Sequence, residues 1–156
     1  KTQGISHEGP LRGIEKIWCF GSAQKVIQSE AWRIGMEKYN KVLGNCGEDA
    51  AVKYLKKNKY IVTERNFNVR GGEIDIIAKK GGYVIFVEVK TRTSDDYGGG
   101  AEAVTYTKQQ RIIKAAQNYL MKAGDVPVRF DVVVVTGKMN GEKFSLENIE
   151  HIENAF

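Results

Sequence analysis

The sequence predicts an α/β domain in which elements run α-β-β-β-α-β around a mixed central sheet flanked by helices. Three observations point there. Lys80-Gly81-Gly82 separates two apolar-rich runs in the manner of a hairpin turn. Residues 105–123 hold a sustained helical spacing of apolar side chains. Residues 130–136, F-D-V-V-V-V-T, form the continuous apolar run of a buried strand.

Taken in order, residues 1–35 differ from the rest, with both tryptophans, Trp18 and Trp32, and His7 among them. Ser22 is placed to cap a short helix over 23–33, with Gly35 just past its end. Met36-Glu37-Lys38-Tyr39 then reads as a fresh start. Residues 1–35 are therefore expected to be an N-terminal extension, either an appended arm or a segment added to the natural chain, and 36–156 the domain proper. Residues 47–59 have helical spacing and end in a lysine-rich turn, which suits the negative end of a helix dipole. Residues 60–69 form a strand, and Gly71-Gly72 breaks it. Residues 73–79 alternate as the first arm of the hairpin, and 83–91 form the second. Residues 94–100, S-D-D-Y-G-G-G, make a loop. After the long helix and the valine strand, residues 138–143 turn, and 144–156 add a last strand or edge segment.

Composition excludes several functions. The chain has 156 residues, enough for one domain with a real core. Its two cysteines, Cys19 and Cys46, form no CxxC pair, so neither a disulfide framework nor a cysteine zinc site is expected. His7 and His151 stand far apart, which disfavours a histidine metal site. No stretch has the ~18 apolar residues of a membrane span, and no signal peptide is evident. A cytoplasmic protein is the expectation. The net charge of +5 and pI near 9.1 favour a polyanion partner such as nucleic acid, although solubility alone accounts for such a charge.

The acids carry the chemistry. In Y-V-I-F-V-E-V-K-T-R, Glu88 and Lys90 interrupt an apolar strand. Strand side chains alternate faces, so Glu73, Asp75 and Ile77 share one face and Phe86, Glu88 and Lys90 share the facing one. With Gly81-Gly82 as a two-residue turn, Lys80 pairs with Tyr83 and Asp75 lies opposite Glu88. A turn longer by two residues moves the partner to Phe86 but keeps the face, so Asp75, Glu88 and Lys90 converge either way. Two carboxylates so placed repel, and burial raises the cost. A divalent cation between them reverses the sign, and hard oxygen donors suit Mg²⁺ or Mn²⁺. The plainer alternative is a Glu88–Lys90 salt bridge on a wet strand.

Glu48 falls on the stripe of Ala51, Val52 and Leu55 that packs on the sheet, either as a helix-dipole partner or as a site residue. On the long helix Ile112, Ala115, Ala116, Tyr119 and Ala123 make the apolar stripe, with Gln109 one turn from the helix start. Lys108, Arg111, Lys114 and Lys122 make a basic arc, suited to phosphates or simply to solvent. Lys90 and Arg92 extend that positive charge.

Six segments together resemble the bacterial YraN family: G-N-C-G-E-D-A-A-V-K-Y-L, R-N-F, G-E-I-D-I-I-A, F-V-E-V-K-T-R, K-Q-Q-R-I and R-F-D-V-V-V-V. The resemblance covers residues 36–156. That family is a group of predicted nucleases with a restriction-endonuclease-like core, in a superfamily defined by a PD-(D/E)xK pattern that includes archaeal Holliday-junction resolvases. The resemblance implies an αβββαβ nuclease core and a metal-dependent endonuclease acting on DNA, branched DNA included. It implies catalytic roles for Glu48, Asp75, Glu88, Lys90 and Gln109, with Asp75, Glu88 and Glu48 holding Mg²⁺ or Mn²⁺. Arg92, Lys108, Arg111 and Lys114 then contact nucleic acid. Ile74 stands where the pattern has proline. Resolvases work as dimers, so a homodimer is allowed. The competing readings are a nucleic-acid-binding module without catalysis and a structural or interaction protein.

Overall fold

A computed structural model describes residues 22–93, 104–141 and 143–156. The loop expected at 94–100 and the first 21 residues of the expected extension lie outside the described residues. Helix α1 spans Ser22–Lys57. Strands β1 (Ile61–Val69), β2 (Gly72–Lys80) and β3 (Tyr83–Thr93) follow, then helix α2 (Tyr106–Ala123) and strands β4 (Val128–Asn140) and β5 (Lys143–Ile152). The fold is α/β, with a five-stranded mixed sheet, as the sequence pattern predicts.

Packing divides the chain into residues 1–40 and 41–156. In the first unit the described residues are helical, and the side chains from Glu30 to Asn40 are exposed. Arg33 and Glu37 pair there at 3.6 Å. The helix end expected at Gly35 is absent: α1 continues through Gly35, Gly44 and Gly47. Glycine in a helix costs only about 1 kcal/mol against alanine, which the flanking turns of good helix formers offset.

In the second unit the strands lie in the order β1-β2-β3-β4-β5. Only β3 and β4 run parallel, and α2 connects them, as a parallel pair requires a crossover. Both faces of the sheet are covered. Ala51, Val52 and Leu55 of α1 pack with Ile76, Ala78, Ile85, Val87, Val133 and Val135. On the other face Ile112, Ala115 and Ala116 of α2 pack with Ile77, Phe86, Val132 and Val134. Each helix thus seats the apolar stripe that the 3.6-residue period marks. Thr105 caps α2 by accepting from the Lys108 N–H at 3.4 Å, and the Gly124 N–H closes the other end on Leu120 O at 3.1 Å.

The β2–β3 hairpin has the expected register, with Lys80 opposite Tyr83. Gly81 and Gly82 adopt φ of 59° and 86°, the two left-handed positions of a type I′ turn. The ladder runs back as far as Ile76–Val87 and stops. Beyond that pair the hairpin forks, and the fork holds the acids.

Candidate metal centre

Asp75 is the first β2 residue beyond the last ladder pair, and Glu88 is its counterpart on β3. The Asp75 carboxylate replaces the missing backbone acceptor: Oδ2 receives the Val89 N–H at 2.7 Å. Glu88 continues the face of Phe86 and is only 4% exposed. Its Oε1 lies 3.3 Å from Lys90 Nζ, and its Oε2 lies 3.2 Å from Lys108 Nζ. The second contact is an ion pair without hydrogen-bond geometry, so Oε2 is a buried acceptor with no hydrogen bond. Such an atom is costly unless a further partner reaches it.

The electrostatics follow from burial and crowding. Burial first, then the facing Glu88 charge, pushes the Asp75 carboxyl up from 3.8 to about 6, against the lowering effect of the Val89 N–H and Lys108. Glu48 is also raised, by burial and then by Asp75, while Asn66 and Arg65 pull it down. Glu73 is lowered, chiefly by its hydrogen bond to Lys108. For Lys108 burial opposes the charge, yet Glu73, Glu88 and Asp75 outweigh it and the net shift is upward.

Glu48 reaches this region from α1 with its side chain 18% exposed, 3.7 Å from Arg65 Nη2 of β1. The same guanidinium holds Asp49 at 2.8 Å. Gly47 lets α1 come this close, because a Cβ there would collide with Thr91 of β3. Glu48 stays within electrostatic range of Asp75, but among the described residues no three acid, histidine or cysteine side chains converge as one metal cage. Asp75 and Glu88 form the close pair, and Glu48 stands behind it. This donor set still fits Mg²⁺ or Mn²⁺, which take one or two carboxylates and leave other positions to water and substrate oxygens. The buried Oε2 of Glu88 is the atom best suited to such an ion.

The remaining expected residues spread around the pair. Gln109 donates from Nε2 to the Val104 carbonyl at 2.9 Å, fixing the entry to α2. Lys108 turns inward, its ammonium 2.8 Å from Glu73 Oε1 and its side chain only 21% exposed. Arg111 and Lys114 are exposed on α2, and Arg92 is half-buried toward the end of β3. The Arg111 carbonyl and Ala115 lie against Gly72, where no Cβ intervenes, which brings α2 down onto β2.

Sequence reasoning missed two groups. One is Glu73 as the seat of Lys108. The other is Asp131, a fully buried acid on β4. Asp131 binds Arg129 through both oxygens at 2.8 Å. It meets His151 Nε2 at 2.8 Å and accepts the Asn154 N–H at 3.0 Å. Arg129 continues to Glu153 at 2.9 Å and the Tyr60 hydroxyl at 3.0 Å. Burial would raise the Asp131 carboxyl, but His151, Arg129 and the Asn154 N–H hold it below the usual range. Burial and the bond to Glu153 push the Tyr60 hydroxyl up to about 12. The available signal was Arg-x-Asp inside the apolar run of β4, two residues apart and so on one strand face.

No described helix is long and apolar enough to cross a membrane. A sequence profile of the uncharacterised protein family UPF0102 matches residues 47–135, which span Glu48, Asp75, Glu88, Lys90 and Lys108. A UPF0102 protein of Geobacter metallireducens is 50% identical over 123 residues, covering 78% of this chain and 97% of the relative. One from Caldanaerobacter subterraneus subsp. tengcongensis is 45% identical over 124 residues, 78% of this chain and 100% of the relative. One from Clostridium perfringens is 47% identical over 113 residues, 71% of this chain and 93% of the relative. The chain thus belongs to the UPF0102 family, the YraN-like proteins.

Proposed function

We propose that this protein is a divalent-metal-dependent nuclease that hydrolyses phosphodiester bonds in DNA, with branched or junction DNA within its substrate range. The observation that carries the reading is the Asp75–Glu88 pair at the fork of a hairpin, Asp75 half-buried and Glu88 buried with one oxygen lacking a hydrogen bond. Acids held together against their repulsion need a cation to be stable, and sites of this kind are where function offsets such a cost. Asp75 and Glu88 would hold a Mg²⁺ or Mn²⁺, which would supply Lewis-acid polarisation of a phosphoryl oxygen and a bound water of lowered pKa. Lys90, next to Glu88 on the same face, orients the attacking water and offsets negative charge growing on the phosphorane. Glu48 strengthens the negative field behind Asp75. Gln109 anchors the first turn of α2 and so positions Lys108. Arg92, Arg111 and Lys114 hold flanking phosphates, which fixes register without reading sequence. A cytoplasmic location, expected from the sequence, and a homodimeric state, allowed by resemblance to the junction resolvases, belong to the same proposal.

The test is a panel of labelled duplex, single-stranded, flap and four-way DNA substrates with Mg²⁺ or Mn²⁺, cut by the parent, Glu88→Gln and Lys90→Met. Each variant is expected to lose about 10²–10³ in kcat, the size of removing one electrostatic contact to the transition state. DNA binding should stay within a fewfold of the parent. Cleavage by both variants at the parental rate sinks the site assignment.

One observation favours a second reading, a binding module without catalysis. Two ammonium groups already lie on Glu88, which balances its charge with no metal bound. In that case Mn²⁺ titration gives no heat that depends on Asp75, and DNA binding remains salt-sensitive.

A further inference from the structure

Lys108 does not occupy the place that its position on the basic flank of α2 suggests. Its ammonium crosses from α2 to the hairpin fork and stands between Glu73 of β2 and Glu88 of β3. The two contacts differ in kind. Toward Glu73 there is a hydrogen bond of 2.8 Å to an exposed carboxylate. Toward Glu88 there is a 3.2 Å ion pair that leaves Oε2 without a hydrogen bond. Lys90 differs again, since it lies on the same strand as Glu88 and faces Oε1.

We infer that Lys108 is the built-in counter-cation of the carboxylate pair: its ammonium covers Glu88 Oε2 when no divalent ion is present, and withdraws onto Glu73 when one is held there. Lys108 thereby sets the affinity of the site for metal. The inference rests on the metal reading above and goes beyond it, because it assigns Lys108 to the metal equilibrium rather than to a phosphate. The physical reason is charge. A dication and an ammonium on the same carboxylate oxygen repel strongly where water is largely excluded. Of the two ammonium groups, Lys108 holds the oxygen without a hydrogen bond and has a second seat already made. Glu73 is that seat, and its hydrogen bond to Lys108 needs no rearrangement when Glu88 is released.

The experiment is Mn²⁺ binding, followed by calorimetry and by the electron paramagnetic resonance of free Mn²⁺, on the full-length protein at pH 8 without DNA. The variants are Lys108→Met, Lys108→Gln, Lys108→Arg and Asp75→Asn, each checked for parental melting cooperativity. Lys108→Met and Lys108→Gln are expected to bind Mn²⁺ at least fivefold more tightly than the parent. Lys108→Arg keeps the charge and should show no gain. Unchanged or weaker binding by both neutral variants, with the parent still binding through Asp75, overturns the role of Lys108 and leaves the metal reading intact. Absence of Asp75-dependent binding in the parent and in both neutral variants overturns the two together.

Discussion

At pH 8 and in the presence of a chelator, Asp75→Asn is expected to melt well above the parent while losing its Mn²⁺-dependent cleavage. The sign follows from the direction of the shift. The Asp75 carboxyl rises from 3.8 to about 6 on folding, from burial and then from Glu88. The folded protein therefore holds this proton more tightly than the unfolded chain does. Between those two values the folded state binds more protons, so Asp75 makes stability fall as pH rises through that window. Above pH 6 the penalty is complete. At 1.36 kcal/mol per pKa unit it is on the order of 2–3 kcal/mol. For a chain of this length that corresponds to roughly 5–10 °C in Tm.

Asparagine removes the charge and keeps an oxygen for the Val89 N–H. The gain should shrink toward zero at pH 4, where the parental Asp75 is protonated as well. Saturating Mn²⁺ should raise the Tm of the parent and not that of the variant, since only a protein that binds the ion is stabilised by it. A variant that melts no higher than the parent at pH 8 would show that the pair is not under electrostatic stress.

The opposite result is expected at Asp131. Asp131→Ala should destabilise the protein by about 3–5 kcal/mol, the cost of leaving the partner of a buried ion pair alone. Arg129 has both of its nitrogens facing Asp131 committed at 2.8 Å. His151, packed against Tyr54 and Tyr60, loses its carboxylate as well. The Asn154 N–H loses its acceptor, so the chain after β5 loosens. Urea denaturation should show a lower midpoint at unchanged slope. Asp131→Asn should fall between parent and alanine, because it retains an acceptor. The Asp131 carboxyl is lowered in the folded state, so its contribution is present at neutral pH and lost as pH falls through the carboxylate range. A loss below about 1 kcal/mol in Asp131→Ala, the range of a surface ion pair, would contradict a closed, buried network.

The hairpin was legible because two local rules agree along its ladder. Alternation assigns the faces along the ladder, and a two-residue Gly81-Gly82 turn puts Asp75 opposite Glu88, which is the observed register, where a longer turn would have put Phe86. Alternation lapses at Asp75, since Ile74 and Ile77 pack on one face. The fork itself was not legible. A side chain takes the Val89 N–H in place of backbone, and period-two patterning carries no sign of that exchange. The continuity of α1 was obscured by Gly35, whose small local penalty reads in a sequence like a stop. Helical spacing placed Lys108 on the flank with Arg111 and Lys114. Its inward reach depends on how closely α2 approaches β2 at Gly72, which is a tertiary distance. Beyond Arg129, the Asp131 partners come from β5 and the chain end, and Tyr60 joins through Arg129 from the loop after α1; no local rule joins residues so far apart in sequence. Arg129 and Asp131, two positions apart on one strand, were the readable part.

Crystals grown with Mn²⁺ and measured at the manganese absorption edge test the metal centre most directly. The expected result is one anomalous peak about 2 Å from carboxylate oxygens of both Asp75 and Glu88, with Lys108 Nζ on Glu73 and off Glu88. A map at saturating Mn²⁺ with no peak between the two acids, and Lys108 still against Glu88 Oε2, would contradict it.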